Sequence, residues 1–254
     1  MTFKRMLLAS DIDGTLYINR EVSQEDAEAI KKWQEAGHLF GICSGRSVQD
    51  SIRALSKSGI QPDFRLCSSG ATATDCEGKF LYKKAMPIEA PRALWEIAKP
   101  FEPDAFTGHA PDGTTLHGHN AARPHYVNCK IEDLFDKELT QCYIGLHSVP
   151  GQAEEFAKKV EESLPYINVH RNATYIDCTV KGTDKAKGVS FMAEHFGIEE
   201  ENCFTVGDNQ NDLPMLLAFE GYCIESGDEY TKEQVGRTTE SVANLINFLL
   251  DRAK

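Results

Sequence analysis

"LLASDIDGTLYINR", residues 7 to 20, sets an apolar run directly in front of two aspartates, Asp11 and Asp13, separated by one residue. The run reads as a short buried strand, and such a strand has no structural use for concentrated negative charge at its end. Side chains two apart on a strand can face the same side, so both carboxylates can meet. Carboxylates that close repel one another unless a positive charge lies between them. What supplies that charge decides how the rest of the chain is read.

Strands alternate with helices at both ends of the chain. "RMLLASDI" is followed by "SQEDAEAIKKWQEAG", in which Ser23 with Asp26 resembles a capping box, Ala27, Ile30 and Trp33 form a helical stripe, and Gly37 stops the helix. "HLFGICSG" reads as the next strand and "SVQDSIRALSKSG" as the next helix, closed by Gly59. Near the other end, "KAKGVSFMAEHFG", "NDLPMLLAF" and "SVANLINFLL" read as helices, with "CFTVG" and "GYCI" as the strands between them. Such alternation predicts an α/β fold with a parallel sheet covered on both faces, which binds ligands at the carboxyl ends of its strands.

The middle differs. "MPIEAPRALWEIAKPFEPDAFTGHAPDGTTLHGHNAARPHYV" is rich in Pro, Gly and His, and reads as loops around one helix from Ala90 to Lys99. "CYIGLHSV", the helical "GQAEEFAKKVEESL", and the strand-like "INVHRN" and "TYIDCTV" follow. The expected organisation is a core made of residues 1–82 and 182–254, with an α+β module inserted over 83–181.

At 254 residues, 41% hydrophobic and 26% charged, the composition is that of a globular chain with a well-buried core. A net charge of −12 argues against broad nucleic-acid or anionic-membrane binding. No apolar run approaches the roughly 20 residues of a membrane span, and "MLLAS" is too short for a signal-peptide core. The eight cysteines are scattered without ligand-like spacing, which predicts free thiols and a cytoplasmic setting.

A second acidic pair, Asp208 and Asp212 in "GDNQND", also follows an apolar strand. In a parallel sheet both strand ends can share one edge. Four carboxylates there require a cation, and oxygen ligands of this kind suit Mg²⁺. "CSGR" adds the Ser44 hydroxyl and backbone N–H groups, that of Gly45 among them. "DKAKG" opens a helix, where Lys185 can place an ammonium and an anion is welcome. Lys187 competes for that place; Lys185 is preferred because it follows the N-cap candidate Asp184. A calcium loop does not fit, since Gly14 comes too early and Val22 stands where the glutamate is required. Acid cluster, hydroxyl and lysine together form a device for moving a phosphoryl group.

In this order, "DIDGTL" (11–16), "CSGR" (43–46), Lys185 and "GDNQND" (207–212) resemble the motifs of the haloacid dehalogenase superfamily of phosphohydrolases. The insertion resembles the type-two cap of its Cof-like branch, whose members are mostly small-molecule phosphatases. The resemblance implies a Rossmann-like doubly wound core with an α+β cap. It implies Asp11 as nucleophile and Asp13 as general acid–base. Ser44, Gly45 and Lys185 would hold phosphoryl oxygens, with Asn211 in support. Asp208, Asp11, the Asp13 carbonyl and Asp212 would surround Mg²⁺. The substrate would be a small phosphate ester such as a sugar phosphate or a phosphorylated cofactor. A phosphomutase or phosphotransferase using the same intermediate, and a non-catalytic regulator on this fold, are the alternatives.

In the insertion, "HGHNAARPH" carries His117, His119 and His125, read as solvated or substrate-contacting in preference to metal-binding. Arg46, His119 and Arg123 are candidates for substrate recognition. Two stretches depart from the family pattern: "SSGA" at 68–71 has serine where asparagine is frequent, and "GYCIESGDEY" lacks an Asn-Ala pair.

Overall fold

The computed structural model describes residues 4–118, 124–146, 151–172 and 175–252. Its first sheet uses strands β1 (Leu7–Ser10), β2 (Leu39–Cys43), β3 (Phe64–Cys67), β4 (Thr72–Asp75) and β5 (Phe80–Lys83) from one end of the chain. The second sheet is built from β6 (Ala105–His109), β7 (Thr115–Gly118), β8 (Val127–Cys129), β9 (Gln141–Gly145), β10 (Ile167–Asn172) and β11 (Tyr175–Val180). The chain then returns to the first sheet with β12 (Cys203–Gly207), β13 (Glu220–Ile224) and β14 (Thr238–Thr239).

The first sheet runs β14-β13-β12-β1-β2-β3-β4-β5. Pairing is parallel from β14 to β3, while β4 and β5 add an antiparallel edge. Helices cover both faces, α2 (Val48–Leu55) and α7 (Glu229–Val235) among them. Ile30 and Trp33 of α1 (Gln24–Glu35) and Leu245 and Ile246 of α8 (Val242–Arg252) bury one face together with Leu8 and Ile42. Val189 and Met192 of α5 (Lys185–Phe196) and Met215 of α6 (Leu213–Ala218) bury the other with Leu7 and Ala9. This two-sided burial explains why β1 reads as an uninterrupted apolar run; each buried leucine contributes about 1.5–3 kcal/mol. Ser23 caps α1 by accepting from the Asp26 amide at 3.0 Å, as its spacing predicted. β1 lies between β12 and β2, so the chain leaves it on one side and returns on the other. A crevice opens at such a reversal, outside the carboxyl ends of the strands.

The second sheet runs β10-β11-β9-β6-β7-β8 and is antiparallel except between β7 and β8. Phe106, Cys142, Ile144, Ile176 and Cys178 pack on one face against α3 (Ala90–Ala98) and α4 (Gln152–Ser163). Their strand neighbours Thr107, Tyr143 and Asp177 line a cavity above the first sheet. The region read as loops thus contains two strands, β6 and β7, and ends where β8 begins. Its inward face is polar, with Thr107, His109, Thr115 and His117 all buried, so the apolar alternation that marks a strand is missing. His117 is 2% exposed and lies 3.0 Å from the Thr107 hydroxyl, and so is buried rather than solvated. His125 is exposed, whereas His119 and Arg123 fall outside the described residues. Among the described residues no helix is long and apolar enough to cross a membrane, and the cysteines are free.

Candidate active site

The strand ends gather the acidic residues. Asp11 follows β1, its amide donating to the Val206 carbonyl at 2.9 Å, and Asp208 follows β12. One carboxylate oxygen each from Asp11, Asp208 and Asp212 lies within 4.8 Å of the other two. Gly14 permits this closeness: its φ is +84°, and a Cβ there would lie 2.4 Å from Asp208 Oδ2. Thr15 donates to Asp208 Oδ1 at 3.1 Å. Asp212 is fully buried and accepts from the backbone amides of Asp208 and Asn209 at 3.0 and 3.2 Å, which ties the loop after β12 to its own helix start.

Lys185, 1% exposed, supplies the positive charge. Its Nζ donates to Asp11 Oδ1 at 2.6 Å and to Asp212 Oδ1 at 2.5 Å. Asp184 caps α5, accepting from the Lys187 amide at 2.8 Å, and this cap turns Lys185 inward while Lys187 stays exposed. One ammonium does not balance the cluster. Burial, opposed by Lys185 and reinforced by Asp212, raises the Asp11 carboxyl well above the usual carboxylate range. Burial and Asp212 push Asp208 up to about 7. Asn211 lines the cavity beside them, and its Oδ1 is buried without a hydrogen-bond partner. These hard oxygen donors form a set able to hold a divalent cation.

Asp13 stands apart from that trio. Its half-exposed carboxylate is gripped by both arms of the Arg46 guanidinium, at 2.7 Å each. Arg46 also stacks over Tyr17, 5.5 Å from the ring centre. Ser44 is 2% exposed, and its hydroxyl accepts from the Arg46 amide at 3.2 Å. Asp11, Asp13, Ser44, Gly45, Arg46, Asp208 and Asn211 all border one cavity of about 380 Å³.

The second sheet roofs that cavity. Thr115 donates to Asp50 at 2.6 Å, and Gln141 to the Gly45 carbonyl at 3.0 Å. Ser68 and Ser69 both have φ of +52°, a left-handed conformation that costs a non-glycine residue about 1–3 kcal/mol. The strained turn aims two hydroxyls upward: Ser68 meets His109 Nδ1 at 3.0 Å, and Ser69 donates to Asp177 Oδ2 at 2.9 Å. Burial holds His109 down at about 4, so it sits there as a neutral ring. Burial pushes Asp177 up to about 7, against the Ser69 hydrogen bond and Lys185. Asp177, His109 and Asp50 were not anticipated from the sequence. For Asp177 a signal was present: a lone acid within "TYIDCTV", on the strand face opposite Ile176 and Cys178.

A doubly wound sheet, an acidic crevice at its switch point and a lid above it define a capped α/β enzyme. The chain belongs to the haloacid dehalogenase-like hydrolase family, whose family model matches residues 8–244. It is similar to the 5-amino-6-(5-phospho-D-ribitylamino)uracil phosphatase of Bacillus subtilis, with 25% identity over 285 aligned positions covering 96% of this chain and 97% of the relative. The pyridoxal phosphate phosphatase of Escherichia coli is 25% identical, over 94% of this chain and 97% of its own. Among solved structures, a phosphatase of the same superfamily from Bacteroides thetaiotaomicron shares the fold with a TM-score of 0.80 at 24% identity, covering 98% and 95% of the two chains. A subclass IIB sugar phosphatase superposes with a TM-score of 0.81 at 21% identity, covering 97% and 98%.

Proposed function

We propose that this hydrolase is a Mg²⁺-dependent phosphatase of small phosphorylated metabolites that works through an aspartyl-phosphate on Asp11. The observation that carries the reading is the buried Lys185 ammonium, 2.6 Å from Asp11 Oδ1 inside an acidic trio, two of whose members, Asp11 and Asp208, line the roofed cavity. An isolated structural ion pair needs neither the surplus carboxylates nor the cavity. Asp11, Asp208 and Asp212, with the Asp13 carbonyl, would hold Mg²⁺. When bound, the ion neutralises phosphoryl oxygens that would otherwise repel a carboxylate nucleophile.

In the first step an Asp11 oxygen attacks phosphorus, and the bond from phosphorus to the ester oxygen breaks. The Ser44 hydroxyl, the Gly45 amide and Lys185 hold the equatorial oxygens, with Asn211 in support. Asp13 gives a proton to the departing alkoxide, so the alcohol leaves neutral. In the second step Asp13 takes a proton from water as that water attacks phosphorus, which releases phosphate and restores the Asp11 carboxylate. Arg46 fixes the Asp13 carboxylate at the cavity rim, where a leaving group must pass. The segment 83–181 acts as the lid that excludes bulk water and selects the leaving group.

The substrates named for the two relatives are both small, polar phosphomonoesters. Hydrolysis of p-nitrophenyl phosphate, pyridoxal phosphate, the ribitylaminouracil phosphate and a set of sugar phosphates, each with Mg²⁺ and with EDTA, tests the reading. Turnover of at least one ester, abolished by EDTA and restored by Mg²⁺, supports it. Full turnover in EDTA removes the metal, and no turnover of any ester removes the phosphatase.

A further inference from the structure

Asp177 is a carboxylic acid that the two-step chemistry does not use, yet it belongs to the roof of the cavity. It is 6% exposed, borders the cavity, and comes from the lid rather than from the catalytic strands. A Cβ built on Gly45 would lie 2.6 Å from Asp177 Oδ2, so the carboxyl rests directly on the loop that offers Ser44 and Gly45 to the phosphate. Among the described residues, its one hydrogen bond comes from Ser69, a residue held in a strained conformation. A carboxylate has about four acceptor positions and no donor, and burying it with one bond made is costly. The fold therefore maintains, at the expense of a strained turn, an acceptor that faces the place where the leaving group begins.

We propose that Asp177 is a specificity-determining residue, which accepts a hydrogen bond from a hydroxyl carried by the leaving group next to its ester carbon. The inference rests on the phosphatase reading. The substrate class is then a phosphorylated polyol or sugar whose hydroxyl lies beside the phosphate. Deoxy and simple alkyl esters leave Asp177 unpaired when the lid closes. A second anion at that position meets a carboxylate and is rejected. Ser69 is the positioning residue, orienting the carboxyl through Oδ2 and leaving the rest of it to the substrate.

The test compares two esters that differ in the critical hydroxyls, glycerol 3-phosphate and n-propyl phosphate. kcat/KM is measured with Mg²⁺ in the unaltered protein, Asp177→Ala and Ser69→Ala. A lost hydrogen bond to a charged group predicts a preference of about 10- to 100-fold for glycerol 3-phosphate in the unaltered protein. That ratio should approach unity in Asp177→Ala and fall part of the way in Ser69→Ala. Equal turnover of the two esters by the unaltered protein overturns the proposal, even if the variants do not fold. So does a ratio that survives in Asp177→Ala. Calorimetric binding of both esters to Asp11→Asn supplies the same ratio without chemistry. If no ester is turned over, the phosphatase reading fails while this binding ratio still judges Asp177.

Discussion

Replacing Lys185 with methionine keeps the stem of the side chain and removes the charge from the centre of the site. Lys185 is 1% exposed and Asp212 is fully buried, so Asp212 cannot exchange the lost partner for water without the loops around it opening. Removing one member of a buried ion pair costs about 3–5 kcal/mol, mostly as the penalty of an uncompensated buried charge. At about 2–4 °C per kcal/mol for a chain of this size, Lys185→Met should lower the melting temperature by roughly 6–20 °C. The assay is thermal unfolding followed by circular dichroism at pH 8 in EDTA, repeated in excess Mg²⁺. A divalent cation neutralises the same carboxylates, so Mg²⁺ should stabilise Lys185→Met more than it stabilises the unaltered protein. A variant that melts with the unaltered protein in EDTA would show that the cluster tolerates its own repulsion and that Lys185 does not hold it together.

Three further outcomes follow from the geometry. Gly14→Ala forces a φ of +84° on a residue that disfavours it and drives a methyl against Asp208 Oδ2, so Mg²⁺-dependent activity should fall far more than the melting temperature. Asp13→Asn should slow release of an alkyl alcohol by about 10²–10⁴-fold and that of a nitrophenolate much less, as single-turnover kinetics with both esters would show. The pH dependence of stability should carry opposite signatures of two roof residues. Asp177, raised from 3.8 to about 7, binds its proton more tightly when folded, so its contribution falls as pH rises from 3.8 to about 7. His109, lowered from 6.5 to about 4, loses its proton on folding, so its contribution falls as pH drops from 6.5 to about 4. Urea unfolding across this range should show Asp177→Asn gaining on the unaltered protein as pH rises. His109→Gln should gain on it as pH falls.

The core of the fold was legible because its elements announce themselves by period and cap. The strand β12 matches "CFTVG" residue for residue, α1 begins one residue after the Ser23 cap, and Gly197 ends α5 in the left-handed conformation. Lys185 could be placed for a similar local reason, since Asp184 fixes where the helix starts. The antiparallel edge β4–β5 was missed: β4 is "TATD", whose threonines give a strand without an apolar stripe. Strands β6 and β7 were hidden because their inward residues serve a cavity rather than a core, and polar residues at buried positions look like loop. For the same reason the sequence placed the acids at the strand ends but not the roof above them. That Asp13 would pair with Arg46, or Asp177 with Ser69, depends on contacts across 33 and 108 positions, which no local pattern encodes.

In the proposed reaction Asp11 is the residue that carries the phosphoryl group. Rapid acid quench of the protein with Mg²⁺ and p-nitrophenyl phosphate, followed by peptide mass spectrometry, looks for that adduct directly. A phosphoryl group should appear on the peptide containing Asp11 and be absent in Asp11→Asn, which should turn over no ester. Hydrolysis that persists in Asp11→Asn, or a phosphoryl group trapped on a different residue, would contradict that role.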